Sequence, residues 1–248
     1  MNGSYLDRRS ELRTYFDRTA ADTWARLTAD APVGRIRETV RAGRDEMRAL
    51  LLDWLPADLA GVRLLDAGCG TGALAVEAAR RGADVVAIDI SASLINVARE
   101  RLPSELPGRV TFRVGDMVDS ELGDFDHVVA MDSLIHYGHD DVLLAVKQLA
   151  ARTRGSVQFT FAPATPALTV MHRVGKLFPR ANRSPAIVPV SETRLVRMLS
   201  QSDELAGWQC ARTRRISSGF YTSQALELSA VEELAASPRA LNDQEYDR

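Results

Sequence analysis

The chain has 248 residues and a formal net charge of −2, which provides no overall attraction to nucleic acid or to an anionic membrane. Its length and its apolar fraction of 46% predict one globular α/β domain with additions. Cys69 and Cys210 provide neither a disulfide framework nor a metal-ligand spacing. The sequence predicts no secretion signal, and it contains no apolar run long enough to cross a bilayer. We therefore expect a protein of the reducing cytoplasm that does not bind nucleic acid.

Residues 1–60 predict a helical cap that precedes the core. Segments 4–27 and 36–55 carry apolar residues at helical spacing, and Pro32 and Gly34 separate them. Packing against a sheet is the simpler interpretation of the aromatic residues in these helices. The alternative interpretation is that the first helix covers a bound ligand as a lid.

The segment 62–91 predicts a strand, a glycine-rich loop, a helix and a second strand. Its loop has glycine at every second position, at Gly68, Gly70 and Gly72. Glycine lets the backbone turn tightly and approach a ligand closely, and a helix that begins after the loop presents free N–H groups. Asp89 lies near the end of the second strand, where an acid can bind a ribose diol. The segment therefore predicts a site for an adenosine-containing cofactor.

Asp66, directly before the glycine loop, discriminates between cofactors. A carboxylate here would repel a pyrophosphate, but it suits the positive α-amino and sulfonium groups of S-adenosylmethionine. The spacing G-x-G-x-G also departs from the dinucleotide fingerprint G-x-G-x-x-G. The run LLDAGCGTG followed by VVAIDIS resembles the first two motifs of class I S-adenosylmethionine-dependent methyltransferases. The alternatives are a nucleotide-binding unit of another class and a degenerate unit that binds nothing.

The resemblance implies a Rossmann-like α/β fold in residues 61–230, with a seven-stranded, mostly parallel sheet, N-terminal helices and an insertion after the fifth strand. The tail 231–248 is polar and is expected to be flexible. In the third motif of the class, the acid Asp116 accepts a hydrogen bond from the adenine amino group and Met117 packs on the ring. Cofactor contacts are expected from the loop and the strand ends: Asp66, Gly68, Cys69, Gly70, Gly72, Asp89, Ile90, Asp116, Met117, Met131 and Asp132.

The insertion, residues 163–190, has the least generic composition. It contains no Asp or Glu and carries His172, Arg173 and Arg180 among apolar residues. This combination suits a lid over a large, flat, apolar substrate that bears carboxylates. It is equally typical of a helix on a membrane surface, and an ordinary solvated basic helix is a third interpretation.

Nearly the whole chain, except its tail, resembles the magnesium protoporphyrin IX O-methyltransferases of (bacterio)chlorophyll biosynthesis. The similarity includes the glycine-rich segment and four further stretches: 36–44, 52–55, 132–137 and 218–221. Plant and cyanobacterial members have a tyrosine after a tryptophan near the end of the first helical region, where this chain has Thr28. The role of that tyrosine is not carried over to Thr28, and Tyr15 is our candidate for its replacement.

The resemblance implies methyl transfer from S-adenosylmethionine to a propionate of Mg-protoporphyrin IX, giving the 13-monomethyl ester and S-adenosylhomocysteine. The porphyrin carries the magnesium, so no protein-bound metal is expected. His136 follows the fourth strand and matches a histidine of catalytic importance in the family, although its position alone would favour a packed or capping histidine. We expect it to orient the propionate or to take a residual proton. The expected substrate contacts are Tyr15, Tyr137, His172, Arg173 and Arg180.

Two other functions are consistent with these motifs. One is a class I methyltransferase of a small phenol or quinone, which needs a stronger base because a hydroxyl must lose its proton. The other is a non-catalytic, porphyrin-carrying partner of magnesium chelatase, against which the intact Asp66, Asp89, Asp116 and His136 argue. The resemblance also implies contact with the porphyrin-binding subunit of that chelatase. We expect a cytoplasmic protein with peripheral attachment at the photosynthetic membrane.

Overall fold

The computed structural model describes residues 3–17, 35–164 and 186–231. Within these residues two helices precede the sheet: α1, Gly3–Tyr15, and α2, Arg35–Trp54. The second agrees with the long helix predicted from the apolar spacing, because Met47 and Leu51 are fully buried. Thr28 and three residues of the insertion that were expected to contact substrate, His172, Arg173 and Arg180, lie outside the described residues.

A seven-stranded sheet forms the centre of the fold. Its strands, in chain order, are β1 (Arg63–Ala67), β2 (Asp84–Asp89), β3 (Arg109–Val114), β4 (Phe125–Ala130), β5 (Thr153–Phe161), β6 (Trp208–Ser218) and β7 (Tyr221–Ala230). They lie side by side in the order β3-β2-β1-β4-β5-β7-β6. The first five pair in parallel, and β7 pairs antiparallel with β5 and β6. This sheet confirms the predicted class I methyltransferase fold.

The other α-helices of the described ranges cover the sheet: α3 (Ala73–Arg80), α4 (Ala92–Glu100), α5 (His139–Ala150) and α6 (Glu192–Ser200). Ser91 caps α4 as predicted, since its hydroxyl accepts a hydrogen bond from the Leu94 N–H. Because β1 and β4 are neighbours whose connections run in opposite directions, their carboxyl ends open a crevice where such sheets bind ligands.

Buried apolar side chains form one cluster on each face of the sheet, as expected for parallel strands covered by helices. Tyr5 and Leu12 of α1 belong to the cluster that contains Leu65. Met47 and Leu51 of α2 belong to the cluster on the opposite face. The two N-terminal helices therefore approach the carboxyl edge of the sheet from its two sides. Among the helices of the described residues, none is both long and apolar enough for a membrane crossing.

Candidate active site

The glycine loop is held by the ends of β1 and β2. The N–H groups of Gly68 and Cys69 donate to the Ile88 carbonyl at 2.8 and 3.0 Å. Gly68 has a φ of 83°, and a Cβ at this position would lie 2.4 Å from the Cβ of Ser133. Only glycine therefore lets the loop approach the turn after β4 so closely.

Two buried carboxylates border this loop, and backbone N–H groups hold both. Asp66 accepts a hydrogen bond at 3.1 Å from the N–H of Ala75, near the start of α3. Asp89 accepts from the N–H groups of Gly70 and Ser91, each at 2.9 Å. Burial raises the pKa of Asp66 to about 7, and burial also raises the pKa of Asp89. A cationic ligand beside Asp66 would favour its charged form.

A third carboxylate, Asp116, follows β3 and binds helix α1. Tyr5 donates its hydroxyl proton to Asp116 Oδ1 at 3.0 Å, and Arg9 Nη1 donates to Oδ2 at 2.5 Å. At the other end of the helix, the Ser91 hydroxyl donates to Asp17 Oδ1 at 2.8 Å. Helix α1 is therefore attached at both ends and forms one wall of the crevice.

A fourth carboxylate, Asp132, follows β4 with a φ of 53°, which is unusual for a residue other than glycine. Its N–H donates to Thr160 Oγ1 at 2.7 Å. Its Oδ1 accepts from the Tyr221 hydroxyl at 3.0 Å and from the Ser223 hydroxyl at 3.3 Å, and Arg44 Nη1 lies 3.1 Å from Oδ2. Side chains from α2, β5 and β7 thus keep the start of the turn in this backbone conformation.

His136 ends that turn, a short 3₁₀ segment from Leu134 to His136. Its ring is buried, and Phe16 of α1 lies edge-on to it with ring centres 6.2 Å apart. The Nδ1 atom lies 3.4 Å from the carbonyl oxygen of Ala186. Burial lowers the pKa of His136 to about 4, so the ring is neutral at pH 7. Because a carbonyl only accepts hydrogen bonds, Nδ1 carries the proton and Nε2 has the lone pair.

These side chains surround one cavity of about 270 Å³ at the carboxyl ends of β1 to β4. Its walls include most of the residues that the sequence analysis selected: Asp66, Gly68, Cys69, Gly70, Asp89, Ile90, Asp116, Met117, Met131, Asp132, His136 and Tyr137. The fold thus brings these residues to one cavity, and the ligand contact expected of each stays a prediction.

Two selected residues do not line the cavity. Gly72 has a φ of 79°, and a Cβ there would lie 2.9 Å from the Phe112 ring, so this glycine permits close packing of α3 near β3. Tyr15 packs its ring against Phe16 at 5.3 Å. Tyr15 thus adjoins the cavity through Phe16, and the ligand contacts expected of Gly72 and Tyr15 stay predictions.

The cavity also contains residues that the sequence analysis did not select, and the strongest examples are Tyr5, Arg9, Phe16, Arg44 and Ser133. Helical spacing puts Tyr5 and Phe16 on the apolar side of the first predicted helix, so a lid interpretation could have found them. No sequence pattern pairs Arg44 with Asp132.

Within residues 3–17, 35–164 and 186–231, no group of three or more His, Cys, Asp or Glu side chains is arranged to hold a metal ion. The crevice does fit S-adenosylmethionine. Its glycine loop leaves open space at Gly70, where a Cβ would meet nothing within 4 Å, and buried carboxylates stand on either side of the loop. The sheet order, the glycine loop and the acids after β1 and β2 define a class I S-adenosylmethionine-dependent methyltransferase.

Comparisons with known proteins identify the family. The family model "Magnesium-protoporphyrin IX methyltransferase C-terminus" matches residues 130–230, and the model "Methyltransferase domain" matches residues 64–155. The magnesium-protoporphyrin O-methyltransferase of Rhodobacter capsulatus is 51% identical over 92% of this chain and 99% of its own length. Its counterpart from Synechocystis is 31% identical over 92% of this chain and 98% of its own length.

A solved structure supports the same assignment. The crystal structure of magnesium protoporphyrin IX methyltransferase from Synechocystis PCC 6803 with bound SAH superposes with a TM-score of 0.77. The sequence identity is 31%, and the superposition covers 89% of this chain and 99% of that one. The chain belongs to the magnesium protoporphyrin IX methyltransferase family, which confirms the resemblance found in the sequence.

Proposed function

We propose that this chain transfers the methyl group of S-adenosylmethionine to a propionate carboxylate of Mg-protoporphyrin IX, giving a monomethyl ester. The observation that carries the proposal is one cavity whose walls include both the glycine loop with Asp66 and Asp89 and the neutral, buried His136. The relative from R. capsulatus that shares 51% identity along nearly the full chain is a magnesium-protoporphyrin O-methyltransferase.

The glycine-loop side of the cavity holds the methyl donor in this proposal. When bound, S-adenosylmethionine supplies an electrophilic methyl carbon on a sulfonium, which is already a good leaving group. Asp89, oriented by two backbone N–H groups, binds the ribose diol. Asp66 lies beside the positive amino-acid end, and Asp116 with Met117 receives the adenine. The main task of these residues is to place the methyl carbon about 3–3.5 Å from the attacking oxygen.

The opposite side of the cavity prepares the acceptor. A propionic acid has a reference pKa of about 4.3, like Glu, so the acceptor is ionised at neutral pH apart from a residual fraction of the acid. His136 presents the lone pair of Nε2, because its Nδ1–H donates to Ala186. It can therefore take the acid proton and leave a carboxylate. One oxygen of that carboxylate forms the new O–C bond while the C–S bond breaks.

The finer assignments are parts of the same proposal. Tyr137 and Tyr15 contact the porphyrin, and the insertion 163–190 covers it with His172, Arg173 and Arg180 near the second propionate. The mixed apolar and cationic composition of the insertion supports this placement. The proposal also includes a cytoplasmic enzyme with peripheral attachment at the photosynthetic membrane. It further includes contact with the porphyrin-binding subunit of magnesium chelatase, because the substrate is poorly soluble.

The decisive test is an endpoint assay with methyl-labelled S-adenosylmethionine and Mg-protoporphyrin IX, followed by chromatography of the pigments. We expect a labelled monomethyl ester, and we expect His136→Ala to lower its rate of formation by about 100-fold or more because the proton acceptor is lost. His139→Gln is the matched control, since His139 accepts a hydrogen bond from the Ser191 N–H and does not line the cavity.

The same assay separates the alternatives. No transfer to the porphyrin, with S-adenosylhomocysteine binding intact by calorimetry, would contradict the proposal and direct the assay to small phenols and quinones. A porphyrin carrier without catalysis would bind Mg-protoporphyrin IX in an absorbance titration and form no ester. Full activity of His136→Ala would retain the function and exclude the role of that residue.

A further inference from the structure

The turn after β4 contains a second polar residue, Ser133, whose hydroxyl has no partner. Ser133 directly precedes the 3₁₀ segment Leu134–His136, at the position where a serine commonly caps a helical turn. Its side chain makes no capping hydrogen bond. The hydroxyl oxygen is buried and lacks any hydrogen-bond partner. A buried hydroxyl left unpaired has a desolvation cost, so its presence in a native protein requires an explanation.

In the described part of the chain, two other side chains have a buried polar atom without a hydrogen-bond partner: Arg152 and Gln158. Ser133 differs from both of them. The Arg152 guanidinium still donates to the Val118 and Asp119 carbonyls, and the Gln158 amide donates to Glu227. Neither of them lines the cavity, whereas Ser133 does. Only for Ser133 is a ligand in the cavity an available partner.

The surroundings of Ser133 place it between the two sides of the cavity. A Cβ on Gly68 would lie 3.2 Å from the Ser133 hydroxyl oxygen, so this side chain lies directly against the glycine loop. His136 follows in the same turn on the acceptor side. The preceding residue, Asp132, is fixed by Arg44, Tyr221 and other side chains, which keeps the Ser133 backbone in place. A group bound to Ser133 would therefore lie near both the methyl donor and His136.

The chemistry of the reaction needs a hydrogen-bond donor that His136 does not supply. At pH 7 the neutral His136 presents an acceptor, Nε2, to the cavity. It becomes a donor only after it has taken a proton. A serine hydroxyl can donate to a carboxylate without releasing its proton, because its pKa is far above neutral. Such a donor orients the carboxylate while leaving its second oxygen nucleophilic.

We infer that the Ser133 hydroxyl binds a carboxylate, namely the propionate that is methylated, and orients it toward the methyl donor. The inference rests on the proposed function and adds a positioning group to it. Ser133 keeps its proton throughout, and His136 Nε2 receives the proton of the acid. The other source of a carboxylate in this cavity is the amino-acid end of S-adenosylmethionine, and the experiment separates the two sources.

The experiment compares Ser133→Ala with the wild-type enzyme and with Ser200→Ala, a surface control whose hydroxyl donates to the Arg197 carbonyl of its own helix. We expect the kcat/KM for Mg-protoporphyrin IX to fall by about tenfold to 100-fold, because a hydrogen bond to a charged group is lost. The Kd of S-adenosylhomocysteine, by calorimetry, should stay within about twofold of wild type. The urea midpoint should be equal or higher, since removing an unpaired buried hydroxyl relieves a cost.

A second measurement uses the dimethyl ester of Mg-protoporphyrin IX, which lacks both carboxylates. In an absorbance titration, the wild type should prefer the free acid over the ester, and Ser133→Ala should lower that preference, leaving the part that comes from the second propionate. An unchanged preference and an unchanged kcat/KM would overturn the inference while the proposed function stands. A rise in the S-adenosylhomocysteine Kd equal to the loss in kcat/KM would assign Ser133 to the methyl donor and also overturn it. A wild type that does not methylate the porphyrin would overturn the proposed function itself.

Discussion

The two sides of the cavity hold their carboxylates in different ways. On the glycine-loop side, Asp66 and Asp89 accept hydrogen bonds from backbone N–H groups that are 2 to 19 residues away in the chain. On the side formed by the turn after β4, Asp132 is held by side chains, and its partners in β5 and β7 are 28 to 91 residues away. The two carboxylates beside the glycine loop are thus held locally, and the acceptor side is assembled from distant elements.

This difference has a physical consequence for the two sides. A backbone N–H is present whatever the side chain is, so the donor side depends on a small number of glycines and acids. The acceptor side depends on complementary side chains in several elements, among them Arg44 in α2 and Tyr221 in β7. Substitutions in distant elements should therefore disturb the acceptor side more than the donor side.

The largest expected effect is from Asp132→Ala. Removing this carboxylate leaves the Arg44 guanidinium and the Tyr221 hydroxyl without their shared partner, and loss of one member of a buried ion pair typically costs about 3–5 kcal/mol. We expect the free energy of unfolding in urea to fall by this amount. Asp132→Asn, which keeps the shape and one acceptor oxygen, should lose less. Equal losses in the two variants would contradict this expectation and show that the ion pair with Arg44 alone carries the contribution.

A second expected effect is that the two sides of the cavity change the stability of the fold in opposite directions as the pH changes. His136 has a pKa of about 4 in the fold against 6.5 in the reference state, so the unfolded chain binds more protons between these values. The stability contributed by neutral His136 is therefore lost as pH falls from 6.5 to 4, by about 3 kcal/mol. The contribution of Asp66 to folding stability changes with pH in the opposite direction. The pKa of Asp66 rises from 3.8 to about 7, so its contribution, about 4 kcal/mol, is lost as pH rises through that range.

Urea unfolding at pH values from 4 to 7 would check both signs. Asp66→Asn should make the protein lose stability on acidification more steeply than the wild type, because the opposing contribution of Asp66 is gone. His136→Gln should make it gain stability on acidification relative to the wild type. Parallel pH profiles for the three proteins would contradict the burial of these two groups.

The smallest expected effect is the loss of folding stability from alanine substitutions at two glycines of the donor side. Gly68→Ala places a Cβ against Ser133 in a left-handed backbone conformation, and we expect a loss of about 2–3 kcal/mol. Gly70→Ala has the same kind of backbone strain but meets nothing within 4 Å, so about 1 kcal/mol is expected. Urea unfolding measures both. A Gly70→Ala loss as large as that of Gly68→Ala would exclude the contact with Ser133 as the cause.

The sequence alone determined the local parts of this protein. The strand–loop–helix–strand unit with Asp66 and Asp89, the long helix α2 and the position of His136 after the fourth strand all follow from patterns within about 30 residues. Short-range spacing and strand ends are sufficient there, because the ligand edge of a parallel sheet is defined by the carboxyl ends of its strands. The resemblance to the methyltransferase family depended on the same motifs, and the comparisons confirmed it.

Only the tertiary structure decided how helix α1 meets Asp116 on the donor side and how the acceptor side is built. The spacing placed Tyr5 on an apolar helix side, but not against Asp116, and no pattern in the chain connected Arg44 or Tyr221 with Asp132. It also decided that His136 is buried and neutral and that the Ser133 hydroxyl lacks a partner. These properties arise from burial and from contacts between residues far apart in the chain. Local sequence does not encode them, because they exist only once distant elements have packed together.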